Sequence, residues 1–432
     1  MIDRGDVAGP GPAPRRVDGT FLLQLAVVAL ATTAVNAIRP MVTYRALGLG
    51  AGPFEVGLLA AVFSVAPALL AVVVGRAVDR IGEAWFIRGA LLAMTAGAFI
   101  AAIVDSLVLL ALSQSITGLG HVTNLIAGQA LVGNRAGREG SDHRYGYYST
   151  MGSLGHLAGP LIGTSLVGEF ALAGTPVVAA DNPQAPAFIA AAVLTVVAFG
   201  LAWLLPATRP DAHATDSGRR GDGLVGAARA VLSRPGMPFA MLVSMIVVSS
   251  IDVLIAYLPV YGEVRGLAVS TVGVLLAIRA GASMVSRLLM GYLISRLGRS
   301  RLLALSMGGA TVGLLALPLT DSALMLAGLM VLIGLGLGIG QPMTMAWVAN
   351  RSPRAERGTA LGVRLTGNRT ALVVVPVVIG AVAGAAGVNV IFWVMAVLLG
   401  AGAAVGRRAP LDVEMPPVPQ GHEGHSDGQA AT

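Results

Sequence analysis

The chain has no cysteine and no lysine; all 29 of its cationic side chains are arginine. Without cysteine there are no disulfides, no thiolate catalysis and no cysteine-ligated metal. The six histidines run from His121 to His425 without a ligand spacing such as H-E-x-x-H, so no metal and no cofactor is expected. Charge is scarce: 12% of the residues, against roughly 25% in a soluble domain. With 55% of the chain hydrophobic, much of its surface must face lipid. The formal net charge of +7 comes from arginines scattered among short loops. Nucleic-acid binding, which needs a basic face, is therefore not expected.

What is present is a series of apolar runs of roughly 20 residues each, the length that crosses about 30 Å of hydrocarbon. They cover 20–43, 54–75, 84–103, 107–131, 146–168, 185–205, 237–261, 269–293, 301–320, 322–349, 359–384 and 388–406. The expected fold is an all-α membrane protein of twelve transmembrane helices in two pseudo-symmetric six-helix bundles. Residues 1–18 and 407–432 read as disordered tails, 19–206 and 237–406 as the two bundles, and 207–236 as a polar linker.

The halves repeat without a gap at an offset of 216 residues, half the chain. Gly75-Arg76-Ala77-Val78-Asp79-Arg80-Ile81-Gly82 lies over Gly291-Tyr292-Leu293-Ile294-Ser295-Arg296-Leu297-Gly298. Phe54–Gly57 lies over Ser270–Gly273, Asp105-Ser106 over Asp321-Ser322, and Gly118-Leu119-Gly120 over Gly334-Leu335-Gly336. Asn134-Arg135 lies over Asn350-Arg351 and Pro160 over Pro376. A duplicated membrane bundle places a substrate cavity between its halves, near mid-membrane.

Arginine placement sets orientation. With the amino terminus inside, most loop arginines fall on the cytoplasmic side, and only Arg45 and Arg265 fall in outside loops. The expected location is the plasma (inner) membrane, multi-pass, with both termini and the linker cytoplasmic.

These motifs resemble the major facilitator superfamily, over about 20–406. Gly75-x-x-x-Asp79-Arg80-x-Gly82 is similar to the family's loop between helices two and three, although Glu83 stands where a basic residue is usual. The resemblance implies that this loop and its echo at Gly291, Arg296 and Gly298 latch the halves on the cytoplasmic side. It gives Asp79 the role of the acid near a helix amino terminus, where unpaired N–H groups favour negative charge. Ser295 replaces that acid in the echo. Gly146, Gly155, Gly159, Pro160 and Gly163 resemble the helix-five signature of the drug and metabolite antiporter branch, with Thr164 in place of the final glycine. The glycines are expected to form a groove for helix eight, and Pro160 to bend the helix. A third exporter pattern, an arginine four residues before Gly118, is absent; Gln114 stands there.

Charges within the membrane are costly, about 2.5–3.5 kcal/mol on insertion scales, and so are functional candidates. Asp252 and Arg279 each lie roughly 15 Å from the outer end of adjacent antiparallel helices, at 1.5 Å per residue. Asn36 is the repeat partner of Asp252, and Arg39 is one turn further out. Asn368 and Arg369 lie near the middle of helix eleven, and His156 inside the glycine signature. Arg364 is placed to snorkel to the headgroups, and Arg287 sits at the inner end of helix eight. Asn124, Gln129 and Gln341 are further candidates for the cavity lining. Asp252 is either a proton carrier or half of a static pair with an arginine. Arg39, Arg279 and Arg369 against one acid make a net-positive cavity that favours an anion.

The function these features imply is secondary active transport, with proton-coupled efflux of a small organic molecule by alternating access as the first reading. A proton-coupled importer of an anionic metabolite is the alternative, and a non-transporting membrane receptor or scaffold is the alternative from another class. An enzyme is not expected. The expected partners are the lipid bilayer, a small-molecule substrate and protons, with the protein a monomer. The lack of cysteine makes the topology directly testable. Single cysteines introduced into the linker should react with a membrane-impermeant maleimide only after the cytoplasmic face is opened. Labelling of intact cells would refute the orientation.

Overall fold

The computed structural model describes residues 19–135, 141–167, 182–206, 224–352 and 357–406. Both tails, and 207–223 of the linker, lie outside the described residues. The described residues form α-helices and no strand. The first half comprises α1 (Gly19–Gly48), α2 (Pro53–Ile81), α3 (Glu83–Ile103), α4 (Leu107–Arg135), α5 (Ser141–Ser165) and α6 (Ala185–Trp203). The linker contributes a short α7 (Leu224–Leu232), where only irregular chain was expected. The second half comprises α8 (Met237–Val264), α9 (Val269–Leu297), α10 (Arg299–Ala316), α11 (Ala323–Asn350), α12 (Arg357–Ala386) and α13 (Asn389–Gly406).

Among the described residues, nine helices are long and apolar enough to cross a membrane by length and composition. The apolar run of α13, Asn389–Ala404, is shorter. The long helices α4 and α5 are not among the nine; they carry Gln114, His121, Asn124, Tyr145, Tyr147 and His156. A helix that turns polar groups toward protein or a wet cavity needs less apolar surface than one surrounded by lipid.

Packing repeats with the sequence. In the first half α1 lies on α5 and α6, α4 on α2 and α3, and α3 on α6. In the second half α8 lies on α12 and α13, α11 on α9 and α10, and α10 on α13. The match extends to single atoms. A Cβ on Gly118 would stand 1.9 Å from the Phe63 carbonyl oxygen, and one on Gly334 2.3 Å from that of Arg279. Phe63 and Arg279 are themselves 216 residues apart. Each glycine lets α4 or α11 touch the backbone of its neighbour, the contact that replaces hydrophobic attraction between helices in lipid. At another repeated site, Arg45 donates to the Val104 carbonyl at 2.7 Å from a terminal nitrogen, and its counterpart Tyr261 donates to the Thr320 carbonyl at 3.4 Å. Arg45 is therefore a buried residue of α1 that caps the end of α3, not a loop residue.

The two arginine-bearing loops shrink to one glycine each. Gly82 (φ 105°) separates α2 from α3, and Gly298 (φ 76°) separates α9 from α10. Both combine positive φ with extended ψ, a region essentially closed to residues with a Cβ. Asp79 and Arg80 accordingly lie in the last turn of α2, and Arg296 in that of α9.

The far end, opposite the end that holds the start of α1 and α7, is closed between the halves. The Thr43 hydroxyl donates to the Ala256 carbonyl at 3.0 Å. The Tyr257 hydroxyl lies 3.0 Å from the carbonyl oxygens of both Pro53 and Pro376. The close approaches at Gly118 and Gly334 give the fold its test. Gly334→Val should cost about 1–3 kcal/mol through overpacking and lower the thermal midpoint of the detergent-solubilised protein. Gly200→Ala, at a position with nothing within 4 Å, should leave it unchanged; equal midpoints for the two variants would refute the contact.

Candidate functional site

Midway between the halves, Arg39 of α1 forms an ion pair with Asp252 of α8. Arg39 also lies 5.0 Å over the Phe63 ring of α2, so its planar cation rests on a π face while its edge donates to the carboxylate. The other Asp252 oxygen, Oδ2, is buried and has no hydrogen-bond partner among the described residues. Counting residues from the outer ends puts Asp252 level with Arg279 on the adjacent helix. The structure instead gives it a partner from the opposite half, because Arg39 extends across the interface and Arg279 turns toward α5.

Around the pair the charged and titratable side chains fall on two sides. On the α5–α9 side, His156 Nδ1 lies 2.9 Å from Asn36 Oδ1. Arg279, Arg287 and Arg39 are near enough to His156 to act on it electrostatically. On the α4–α12 side, Arg369 is near both Asp252 and Arg39, and His121 is near Arg369 and Arg39. His156 is exposed although Asn36 beside it is buried. Next to Arg39, toward the far end, Val42, Val56, Leu59, Gln114 and Ile255 line a small cleft.

Several expected residues have structural partners. The Ser244 hydroxyl donates to Asn368 Oδ1 at 2.9 Å, and Gln341 Nε2 donates to the Ser244 carbonyl at 2.9 Å. Arg364 does not snorkel. It is buried, and one terminal nitrogen donates to Gln341 Oε1 at 2.7 Å and to Thr344 Oγ1 at 3.0 Å. Asn368, Gln341 and Arg364 thus tie α8, α11 and α12 together. Asn124 is buried and Gln129 exposed.

The helix-five glycines also face elsewhere. A Cβ on Gly155 would meet Thr32 Cβ at 2.7 Å, on Gly159 Asn36 Cβ at 2.5 Å, and on Gly163 the Ala37 carbonyl oxygen at 2.4 Å. All three seat α5 on α1 within its own half, not on α9. Gly146 has nothing within 4 Å. The seam with α9 is built from Ser153, Leu157, Leu161 and Thr164, and there Gly273 of α9 supplies the space: a Cβ on it would stand 1.8 Å from Thr164 Oγ1. Pro160 lies within α5. The four-residue glycine spacing was legible in the sequence; which neighbour it met depended on the rotation of the helix.

At the Gly75–Gly82 motif, Asp79 and Arg80 are exposed. Glu83, the first residue of α3, is buried and accepts a hydrogen bond from Asn134 at 2.5 Å. Asp79 is thus a residue of the last turn of α2 and not of a loop. Phe63, Thr43 and Tyr257 also line the interface. Phe63 had a signal, since it is the repeat partner of Arg279.

Two six-helix bundles related by a half-length repeat, closed at one end around a charged centre, define a secondary transporter fold. The Major Facilitator Superfamily model matches residues 25–284 and 266–427, and the chain belongs to that family. It is thus a multi-pass membrane transporter rather than an enzyme. It is 28% identical over 331 residues to the uncharacterized MFS-type transporter YdeG of Bacillus subtilis (strain 168), covering 73% of this chain and 74% of that protein. Similar solved structures include a bacterial homolog of the human lysosomal transporter Spinster in an inward-facing, unoccupied conformation (TM-score 0.76, 15% identity, 92% of this chain and 98% of that one). The nucleoside transporter NupG (0.72, 14%, 90% and 99%) and a D-xylose-proton symporter (0.72, 13%, 90% and 96%) are also similar. At these identities the likeness carries the fold alone.

Removing one partner of a buried ion pair leaves the other charge uncompensated, at about 3–5 kcal/mol. Arg39→Gln and Asp252→Asn should each lower the thermal midpoint, and the double variant should recover most of the loss. Additive losses in this cycle would show that the two do not interact.

Proposed function

We propose that this transporter exports a small organic molecule in exchange for protons, and that Asp252 carries the proton. The observation that supports it is the Arg39–Asp252 pair, which joins α1 of one half to α8 of the other. Alternating access requires the halves to part, and a charge pair between them resists parting. A proton on Asp252 removes the carboxylate charge, weakens its hold on Arg39 and lowers the cost of separation. Deprotonation restores the pair and closes the far end again. The free Oδ2 is the atom available to the proton.

Export rests on the glycine signature of α5 and its resemblance to the antiporter branch. In this reading the signature fixes α1 and α5 as one moving unit that presents Arg39 and His156 together. The arginine bias supports a plasma-membrane orientation with the linker end cytoplasmic, so that the end opposite the Thr43 and Tyr257 ties faces the cytoplasm. Asp79, Arg80 and Arg296, at the cytoplasmic ends of α2 and α9, would meet only when that end closes. Import of an anionic metabolite on the same cavity remains the second reading, favoured by the excess of arginine around Asp252.

A substrate screen in a susceptible host, with and without an uncoupler, supplies the transported compound. In proteoliposomes, Asp252→Asn should abolish the dependence of transport on a pH gradient while sparing substrate exchange. Full retention of that dependence would eliminate Asp252 as the carrier. Substrate accumulation driven inward with protons would replace export by import.

A further inference from the structure

The arginines buried within the helices divide by what their guanidinium groups meet. Arg39 has Asp252. Arg45 and Arg88 cap helix ends through carbonyls, and Arg364 is held by α11. Arg287 donates to the Gly338 carbonyl at 3.0 Å and to the Ser153 hydroxyl at 3.4 Å. Arg279 differs. It is only 4% exposed, its Nε is buried without a partner, and among the described residues no acceptor hydrogen-bonds to its guanidinium. The charged and titratable groups that reach it are Arg287 and Arg39, with His156 across on α5. None is an acid. A buried cation without a counter-charge is among the costliest arrangements a membrane protein can hold.

We infer that Arg279, with His156 opposite and Arg287 behind it, is the seat for the anionic head of the transported molecule, a carboxylate or similar oxyanion. The guanidinium edge suits the two oxygens of such a head; the His156 Nδ1–H already donates to Asn36 Oδ1, so His156 shapes the seat rather than donating to the ligand. The site is separate from Asp252, whose charged neighbours are Arg39 and Arg369. Proton and substrate thus occupy different places and meet through Arg39, which lies near both. This assignment rests on the central cavity being the transport cavity, as proposed above, but its test does not depend on transport.

The full-length protein in detergent is titrated with benzoate, glutarate and phenyl phosphate, each against its uncharged counterpart benzamide, glutaramide or phenol, and with benzylamine. The readout is the thermal midpoint. At least one acid should stabilise the protein where its neutral partner and the amine do not. In Arg279→Met that stabilisation should fall by at least about tenfold in apparent affinity, the loss of roughly one charge-assisted contact, while the ligand-free midpoint stays level or rises because an uncompensated charge has gone. Arg279→Lys should retain part of the response. The assignment is overturned if no acid outperforms its neutral partner, if Arg279→Met responds as the parent does, or if Arg279→Met fails to fold, which would make the guanidinium structural. Anion binding without any transport would count against the transporter cycle and leave the seat standing. Transport of a neutral or cationic compound with Arg279→Met unaffected would remove the seat and leave the transporter.

Discussion

A charge pair between two otherwise apolar bundles is the constraint on which the centre of this molecule depends. Lipid gives helices little reason to associate, since acyl chains are as apolar as leucine. Within each half the helices are held by close backbone contacts. Between the halves, Arg39 and Asp252 meet at mid-depth, with Thr43 and Tyr257 tying the backbone beyond them. The pair is strong only while both members are charged, so it can hold one conformation without locking the protein in it.

The two kinds of contact suit two kinds of motion. Glycine-to-carbonyl approaches such as Gly118 on Phe63 and Gly163 on Ala37 are steric and insensitive to ligand or proton. They keep each half rigid. The charged centre responds to both, and it is where the halves must separate. The buried network of Arg364, Gln341, Ser244 and Asn368 belongs to the first kind despite its polarity, because the hydrogen bonds that hold it all lie within one half. Arg279 belongs to the second because its guanidinium is not.

Much of this was legible from the residues alone. The helix spans fell within a few residues of those observed, since each is a long apolar run ended by glycine, proline or charge. The repeat offset predicted which positions are equivalent, and the structure carries that equivalence down to the pairs Gly118–Phe63 and Gly334–Arg279. The places where the reading failed share a cause. Asp79 reads as a loop residue because the apolar run ends at Gly75, but α2 continues through it to Gly82. Arg364 was sent to the headgroups because no partner is visible in one dimension, and its partners are 20 and 23 residues away on another helix.

The sequence by itself determined a membrane-spanning helical protein, the register of its internal repeat, and the small set of charges that cannot face lipid. These follow from composition and period, which each segment carries independently of its neighbours. Only the tertiary structure decided which half supplies the partner of Asp252, that the α5 glycines meet α1, and that Arg279 is left without an acceptor. Those outcomes depend on the rotation of each helix about its own axis. In a helix that is apolar on most of its faces, neighbours set that rotation, and its own sequence does not.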